Sequence, residues 1–505
     1  MSTYVGIDLG TTATKAALID SDGTVLARSR VAHSDARKVG VGRADPVAWI
    51  ASVTGACRAL GPAARSAVAL GLAVHCPTAL LFDADGVPLA AGLTWDHPDN
   101  VMHADTVRDQ MTDDERRRTG NHLSPATLMI GAHAFFAEHE PDALGEAHRL
   151  GLVGSWLGQW FTGQSGLDPT QASYTGAFDV ADATGTWMDD LLERHGVPLP
   201  LLPEVRPSLS VLGELRAFVA ESLGLAPGIP VIVGSADTPA ASYCLGARPG
   251  GTPLFIMGTT HVISNCIGAP DMRAQALQRA DVRPGQWLIN GVINGGDALA
   301  IGAQLLGYGT SGGSVQSLIE DAWAASRRDL TGAPVFIPHV VAERGPLWLD
   351  QPRTALIGMV AATGARQAAR GALEGVLFGD RMIIESCVLP DQGPVLLSGA
   401  FGSDVAVPQL LADHLDKDIR VVDEGHLPSI GAAGMAVETL EGHSVPAPPS
   451  RLVHPRASWR NAVEDRWQHY QEHWQLVVGR PPLEPLRIRT RPHPSRLTSL
   501  QGARP

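Results

Sequence analysis

Cysteines are few in this 505-residue sequence, and they lie far apart. There are five, an odd number without a CxxC pair, so neither a disulfide framework nor a structural zinc site is indicated. The N-terminus has no basic stretch followed by a long apolar core, so we expect no signal peptide and a cytoplasmic location. The five are Cys57, Cys76, Cys244, Cys266 and Cys387.

Long hydrophobic runs and an excess of positive charge are also missing. No stretch approaches the ~18 unbroken apolar residues of a membrane span. Lys and Arg total 39 against 52 Asp and Glu, and the net charge of -13 opposes binding to nucleic acid or to an anionic membrane. With 44% apolar and 18% charged residues, the chain has the composition of a globular protein. We therefore expect no nucleic-acid and no membrane partner, and a small-molecule substrate.

Signatures of several enzyme classes are absent as well. The sequence has no HExxH, and no GxGxxG after the first predicted strand, which argues against zinc hydrolysis and hydride transfer. The GxxxxGK[ST] spacing of a P-loop is also absent.

Short apolar runs alternate with helical stretches, a pattern that predicts an α/β protein. A Gly-Thr-Thr turn between two apolar strands occurs twice, at Gly10–Thr12 and Gly258–Thr260, about half the chain apart. This spacing indicates an internal duplication and paired domains. Boundaries are expected near Arg248–Gly251 and in the proline-rich stretch Ser444–Arg456.

Three units follow from these boundaries: residues 1–247, residues 248–443 and residues 444–505. In the third unit an apolar stripe at helical spacing predicts a helix that docks by one face. The stretch from Arg487 onward is basic and lacks acidic residues, so we expect a loose tail. The stripe consists of Val463, Trp467, Tyr470 and Trp474.

The decapeptide Gly6–Lys15 is the most informative motif. Glycine lets the backbone approach a phosphate, Thr11 and Thr12 can donate hydrogen bonds to its oxygens, and Lys15 adds positive charge. Asp8, at the end of the first predicted strand, is placed where a carboxylate can hold a hydrated Mg²⁺ ion. A tight Gly-Thr hairpin with a solvated aspartate explains the same residues, and the spacing alone does not separate the two.

The stretch Pro230–Pro239 predicts a buried strand that leads into a helix. Pro239 suits a first helical position, which makes Asp237 or Thr238 the N-cap. The alternative is that Asp237 accepts the proton of a substrate hydroxyl during phosphoryl transfer. A helix N-terminus is expected to keep the pKa of such a carboxyl low.

Small residues also separate a strand from a helix at Ser398–Asp404. They permit close approach of a nucleotide, and the helix N-terminus favours anions. The stretch Gly291–Gly296 has the same character, which makes Gly295 another candidate. Close packing of a helix on a sheet is the alternative for both.

Taken together and in this order, these segments resemble the FGGY carbohydrate kinases, from Val5 to about Leu440. The resemblance implies two ribonuclease H-like domains, of the actin and hexokinase type, around an interdomain cleft. ATP would bind to the C-terminal domain and the sugar to the N-terminal domain. The stretches that carry it are Gly6–Lys15, Leu81–Gly86, Ser235–Asp237, Gly258–Thr260, Ala372–Val376, and Gly399–Gln409 with Ala412–Asp413.

The resemblance also implies roles for individual residues. Asp237 matches the family's catalytic base and Asp8 its magnesium-linked aspartate. In the segment that matches the adenosine loop, Ala400 and Phe401 replace the usual glycines, so a narrower adenine pocket is expected. The candidates for ATP and phosphate contacts are Thr11, Thr12 and Lys15 in the first loop, Gly258 and Thr259 in the second, and Gly295, Gly399, Ala400 and Ser403.

The sugar site departs from the family pattern. His75-Cys76-Pro77 stands where xylulokinases carry Gln-Met-His, and Trp95–Asp99 lacks the arginine of the family's Trp-x-Asp-x-Arg. Binding of the usual ketopentose by the usual contacts is therefore not expected. The substrate-binding candidates are His75, Cys76, Trp95, Asp96 and Asp237, although a purely structural role explains each of the first four as well.

The resemblance predicts an ATP-dependent, Mg²⁺-using kinase of a small sugar or polyol, and a homodimer as in its relatives. Two alternatives remain open at this point. One is a non-catalytic relative that binds sugar or nucleotide, against which the retention of Asp8 and Asp237 argues. The other is an actin-like or chaperone ATPase that acts on protein partners.

Overall fold

The structure is a computed structural model that describes residues 2–33, 40–95, 97–120, 129–182, 185–271, 275–310, 313–326, 332–400 and 404–486. The candidates Asp96 and Ser403 lie outside the described residues, as do Phe401 and the basic tail from Arg487. Within the described ranges, no helix combines the length and the hydropathy that a membrane crossing requires.

The first half of the chain contains a large sheet and a set of helices that surround it. Short 3₁₀ helices occur at Pro62–Ser66 and Leu199–Leu201. The strands are β1 (Thr3–Leu9), β2 (Ala13–Asp20), β3 (Val25–Ala32), β4 (Arg43–Ala44), β5 (Ala67–Val74), β6 (Thr78–Phe82), β7 (Gly92–Thr94), β8 (Arg149–Leu152), β9 (Gly166–Leu167), β10 (Glu204–Val205), β11 (Val211–Glu214), β12 (Pro230–Ile232) and β13 (Ser235–Ala236). The helices are α1 (Pro46–Ala59), α2 (Pro98–Gln110), α3 (Asp113–Arg118), α4 (Met129–His139), α5 (Pro141–Glu146), α6 (Val153–Thr162), α7 (Pro169–Ala172), α8 (Asp189–Arg194), α9 (Ala217–Leu223) and α10 (Asp237–Cys244).

The second half builds a second large sheet with its own helices. A short 3₁₀ helix, Ala457–Trp459, precedes the last helix. The strands are β14 (Leu254–Met257), β15 (Thr260–Ile267), β16 (Leu277–Ala280), β17 (Trp287–Asn294), β18 (Val335–His339), β19 (Arg353–Ile357), β20 (Val395–Gly399), β21 (Ile419–Val421) and β22 (Arg451–Val453). The helices are α11 (Gly296–Leu305), α12 (Ser314–Ser326), α13 (Ala365–Cys387), α14 (Ala406–Leu415), α15 (Leu427–Glu441) and α16 (Arg460–Val478).

The two large sheets share one topology. The strand order is β11-β12-β5-β1-β2-β3 in the first sheet, with β13 beside β5, and β16-β17-β15-β14-β20-β21-β22 in the second. In each sheet an antiparallel hairpin, β1–β2 or β14–β15, lies beside a parallel strand, β5 or β20. A Gly-Thr-Thr turn joins the strands of both hairpins, so the duplication predicted from these turns is present in the fold.

Both faces of the first sheet are covered, which explains the nearly continuous apolar run of β1. Val5, Ile7 and Leu9 pack with helix α1 on one face. Tyr4 packs with α15, a helix from the second half of the chain, on the other. Because side chains alternate along a strand, Asp8 emerges on the same face as Tyr4, toward the second half of the molecule.

Helix α15 crosses the first sheet where β1 and β5 carry glycines. A Cβ atom on Gly6 would overlap the carbonyl oxygen of Ser429, and one on Gly71 would overlap that of Ala432. Only glycine therefore permits this close approach of helix and sheet. The contact joins the two halves of the molecule beside Asp8.

We expect Gly71→Ala to lower the stability of the protein by ~1–3 kcal/mol, because the added methyl group must displace the backbone of α15. Thermal unfolding measures the effect as a lower Tm. Gly145→Ala is the matched control, since a Cβ there meets nothing within 4 Å. A Gly71→Ala variant with the wild-type Tm would show that the helix can shift without cost.

The C-terminal helix α16 docks as its apolar stripe predicts. Val463, Trp467, Tyr470 and Trp474 all belong to the hydrophobic core around the second sheet. Between the prolines of the preceding stretch, the short strand β22 pairs with β21 and extends that sheet.

Candidate active site

A cleft of about 550 Å³ lies between the two halves of the molecule. One wall comes from β1, the β1–β2 turn and the start of α10, and the other comes from the end of β20 and the residues before α15. Distant segments of the sequence therefore meet in one space. The predicted site residues that line it are Asp8, Thr11, Thr12, Lys15, Asp237, Gly399 and Ala400.

Asp8 is a buried carboxylate without a full set of partners. It lies opposite Lys15 in the β1–β2 hairpin, and its Oδ1 atom is buried without a hydrogen-bond partner. Burial and the charge of Asp237 raise the pKa of Asp8 to about 7, and Lys15 partly offsets them. An unpartnered carboxylate oxygen beside a second carboxylate is an arrangement that a divalent cation stabilises.

Asp237 opens helix α10 at the edge of the same cleft. The helix begins at Asp237 with Ala236 as its cap, so our assignment of Asp237 or Thr238 as N-cap is wrong. Oδ1 of Asp237 accepts a hydrogen bond of 2.6 Å from the backbone N–H of Thr238. The expected low pKa is also wrong: burial raises the pKa of Asp237 and outweighs the bonds from Thr238. A raised pKa makes this carboxylate a better proton acceptor near neutral pH.

In metal-free buffer, we expect Asp8→Asn to raise the Tm at about pH 8 and to change it little at about pH 4. The pKa of Asp8 is about 7 in the folded protein, against ~3.9 in an unfolded chain. The folded state therefore retains the proton between these values, and wild-type stability falls as the pH rises through that window. Asparagine removes this loss, which is about 4 kcal/mol for a shift of three pKa units.

The check is thermal unfolding of both proteins across this pH range with a chelator present. Asp22→Asn, in the exposed turn after β2, controls for the loss of one negative charge. Parallel pH profiles for wild type and Asp8→Asn would contradict a raised pKa at Asp8.

Two basic side chains of the first half reach across the cleft. The Nζ atom of Lys15 donates to the carbonyl oxygen of Gly425 at 2.6 Å. Arg28 forms an ion pair of 2.7 Å with Glu424, and its side chain is about half exposed, so the pair contributes little stability. These contacts hold one edge of the cleft with weak interactions, for which the phosphates of a nucleotide can compete.

Gly258, Thr259 and Gly295 lie behind the cleft wall rather than in its lining. The carbonyl oxygens of Gly258 and Thr259 accept backbone N–H bonds of 3.0 and 3.1 Å from the first residues of α11, directly after Gly295. The Gly258–Thr259 turn directly follows Met257, and Met257 pairs with Gly399, which lines the cleft. Gly399 has a φ of 113°. A Cβ on Gly399 would overlap the carbonyl oxygen of Met257, so the junction requires glycine.

Among the predicted substrate-binding residues, Asp237 lines this cleft, whereas His75, Cys76 and Trp95 do not. His75 is buried edge-on against Trp49, with 5.1 Å between ring centroids, and burial lowers its pKa to about 4. The Nε2 atom of this neutral ring has no hydrogen-bond partner. Trp95 is 46% exposed, and the guanidinium carbon of Arg344 lies 5.5 Å from its ring centroid.

Cys76 marks a second, deeper region next to Asp237. Burial raises the pKa of its thiol well above the ordinary value, and the charges of Asp168, Asp237 and Arg279 all act on it. The Cys76 thiol is therefore close enough to both Asp237 and Arg279 to be affected by their charges.

The residues that shape this deeper region escaped prediction. Asp168 is fully buried and caps the short helix α7 by accepting the N–H bonds of Thr170 and Gln171. Thr170 Oγ1 in turn accepts the backbone N–H of Ala236 at 2.8 Å, which fixes the residue before Asp237. The Asp-Pro pair signals a helix start in the sequence, but nothing local shows that this helix lies beside Asp237.

The segments that build the cleft coincide with two known family domains. Residues 3–244 match the N-terminal domain of the FGGY family of carbohydrate kinases, and residues 250–439 match its C-terminal domain. The chain belongs to the FGGY family of carbohydrate kinases. This confirms the resemblance inferred from the motifs, and makes the protein a carbohydrate kinase, a phosphotransferase that acts on an alcohol group.

Curated relatives of this FGGY kinase cover most of the chain at low identity. Xylulose kinase of Escherichia coli (strain K12) is 26% identical over 452 residues, which are 86% of this chain and 89% of that protein. Apulose kinase of Pectobacterium atrosepticum is 26% identical over 508 residues, 95% of this chain and 98% of that protein.

Solved structures confirm the predicted fold of two actin- and hexokinase-type domains. A xyloylose kinase from Brucella ovis superimposes with a TM-score of 0.84 at 23% identity, over 94% of this chain and 99% of that one. A gluconate kinase from Lactobacillus acidophilus gives a TM-score of 0.84 at 18% identity, over 94% and 98%. At such identities the likeness extends to the fold alone. The domain boundaries, the homodimer and the cytoplasmic location stay predictions.

Proposed function

We propose that this FGGY kinase transfers the terminal phosphoryl group of ATP to a hydroxyl of a small sugar or polyol, with Asp237 as the general base. The observation that carries the proposal is the pairing of Asp8 and Asp237. Both carboxylates are partly or fully buried, they interact electrostatically, and they line one cleft together with the Gly-Thr-Thr turn.

The proposed step is an in-line transfer. The acceptor hydroxyl oxygen forms a bond to the terminal phosphorus of ATP, the bond from that phosphorus to the leaving ADP oxygen breaks, and the hydroxyl proton passes to Asp237. Thr11, Thr12 and Lys15 lie on the phosphate side of Asp237, where N–H, O–H and ammonium groups stabilise the charge that develops on the phosphoryl oxygens. The raised pKa of Asp237 suits it to accept the proton.

The residues present fit a magnesium ion at Asp8. Its Oδ1 atom is buried and unpartnered within the described residues, and a bound cation would relieve the repulsion between Asp8 and Asp237. When bound, Mg²⁺ neutralises negative charge on the phosphate oxygens. Asp8 is therefore the proposed anchor of the ion, through one carboxylate oxygen.

The segments that depart from the family's sugar-binding pattern change where we expect the acceptor to bind. His75 is buried behind the first phosphate loop, where its backbone N–H donates to Leu9 O at 2.8 Å. The acceptor is instead placed beside Asp237 and Cys76, in the region bounded by helix α7. Contacts from His75 are not required by this arrangement.

The test is ADP formation by the purified protein with ATP, Mg²⁺ and a panel of pentoses, hexoses, polyols and their acid derivatives. We expect ADP release to depend on a particular acceptor and to stop when magnesium is chelated. ATP turnover that ignores every acceptor and responds to a polypeptide would instead favour an ATPase that acts on protein partners.

A further inference from the structure

Within the described residues, Arg279 is a buried cation that forms no ion pair, although the charge of Asp281 acts on it. Arg279 is 3% exposed, on strand β16, and its Nε donates to Oδ1 of Asn290 at 2.8 Å. The guanidinium carbon lies 4.6 Å from the ring centroid of Tyr174. The Nη1 atom is buried and has no hydrogen-bond partner. Tyr174 and Asn290 therefore hold the guanidinium plane in place while one of its donors stays free.

A second guanidinium group lies close to the first. Arg344 stands over the ring of Trp95. Burial lowers the pKa of Arg279 to about 10, and the charge of Arg344 contributes to the shift while Cys76 opposes it. Within the described ranges, no carboxylate forms an ion pair with either arginine. The charges of Asp281 and Glu343 act on Arg279 and Arg344 without forming an ion pair with them. Burying two unpaired positive charges is costly, and a ligand that pairs with them offsets this cost.

Helix α7 relates Arg279 to the reacting centre. Thr170 Oγ1 accepts the backbone N–H of Ala236, which precedes Asp237, at 2.8 Å. Ser173 Oγ accepts the backbone N–H of Ala280, which follows Arg279, at 3.0 Å. The two acceptors are three residues apart, about one helical turn of ~5.4 Å. Asp237 and Arg279 therefore each adjoin a residue that is bonded to the same short helical segment, and the charges of both act on the thiol of Cys76.

We propose that Arg279 and Arg344 bind a carboxylate of the acceptor, so that the substrate of this kinase is a sugar acid. The inference rests on the proposed function, because it assigns the acceptor that Asp237 deprotonates. A planar guanidinium group matches a carboxylate with paired N–H donors, and such charged hydrogen bonds are among the strongest in proteins. The carboxylate of the substrate takes no part in the phosphoryl transfer. It only positions the carbon chain of the substrate so that one hydroxyl lies at Asp237.

The wild-type protein tests this directly with matched acceptors. Xylonate is compared with xylitol and gluconate with glucitol, and ribose 5-phosphate serves as an acceptor whose anionic group is a phosphate. We expect one of the acids to exceed its neutral partner in kcat/KM by at least about 10-fold, mainly through a lower KM. Equal or better turnover of the neutral partners overturns the inference, and so does a preference for the sugar phosphate.

Variants of Arg279 supply a second readout. Arg279→Met should reduce the ratio of kcat/KM for the acid to that for its neutral partner by about 10- to 100-fold, the effect of losing charged hydrogen bonds. Arg279→Lys keeps the positive charge but lacks the paired N–H donors of the guanidinium group, so it should retain part of the preference for the acid. Arg65→Met, at an exposed position remote from the cleft, is the control. An equal loss for acid and neutral acceptors would overturn the inference.

The outcomes also separate this inference from the proposed function. Phosphorylation of neutral sugars without a preference for acids removes the sugar-acid assignment and leaves the kinase. Absence of ADP formation with every acceptor removes both. If Arg279→Met fails to fold, the matched acceptors and Arg279→Lys still decide the question.

Discussion

Asp237→Asn is expected to lower kcat for acceptor phosphorylation by ~10³-fold, because asparagine has nearly the same shape but cannot take the hydroxyl proton. Binding of the acceptor and of ATP should change much less, since the amide retains a hydrogen-bonding oxygen at the same place. The variant should fold normally. Removing a charge beside Asp8 relieves repulsion, so its Tm is expected to equal or exceed that of the wild type.

Steady-state ADP release and thermal unfolding measure the two sides of this prediction. Asp22→Asn, the same change at an exposed turn of the first sheet, should leave both quantities at their wild-type values. A folded Asp237→Asn variant with kcat within about 10-fold of the wild type would remove Asp237 from the role of base.

Trp474→Ala is expected to destabilise the protein by ~3–5 kcal/mol, the usual cost of deleting a large buried aromatic side chain. Trp474 is 0% exposed in the core of the second half. Its Nε1 donates to Nε2 of His339 at 2.8 Å, and Nδ1 of the same ring lies 2.7 Å from Glu343. Glu343 in turn accepts the backbone N–H of Asn294, at the end of β17. Truncation therefore leaves a cavity and also breaks a buried hydrogen-bond chain.

The Tm and a urea titration measure this loss. Leu476→Ala on the same helix is the matched control, because Leu476 is 79% exposed and its removal should change stability by less than ~0.5 kcal/mol. Trp474→Phe should fall between the two, since it keeps most of the packing but removes the donor to Nε2 of His339. Equal Tm values for Trp474→Ala and Leu476→Ala would show that helix α16 contributes little to the fold.

The same variant tests a link to the acceptor site. Trp474 contacts His339, and His339 contacts Glu343, which directly precedes Arg344. A raised KM for the acceptor is therefore a further expected consequence in Trp474→Ala.

Features encoded by contiguous residues could be predicted from the sequence. The two Gly-Thr-Thr turns revealed the duplicated hairpins, and the aromatic stripe of α16 revealed its docked face. Asp8 could be assigned to the phosphate side because it lies in one decapeptide with Thr11, Thr12 and Lys15. Each of these inferences depends only on neighbours within one turn, one strand pair or one helix, where local geometry is nearly fixed.

The pKa of Asp237 could not be predicted in the same way. Its place at a helix N-terminus argued for a low value, but the structure buries the carboxyl near Asp8, and desolvation outweighs the helix contribution. Desolvation depends on which other segments cover a residue, and no local pattern contains that information.

By itself, the sequence determined the family, the two-domain α/β architecture and several of the residues that line the cleft, since short ordered motifs encode all of these. Only the tertiary structure brought together the residues of the proposed acceptor side. Arg279 belongs to no sequence motif. Its proposed role depends on the contacts that the α7 segment makes with β16 and with the strand before Asp237. Burial and charge compensation depend on which residues surround a side chain in the folded protein. A buried cation that forms no ion pair can therefore be recognised only from the tertiary structure.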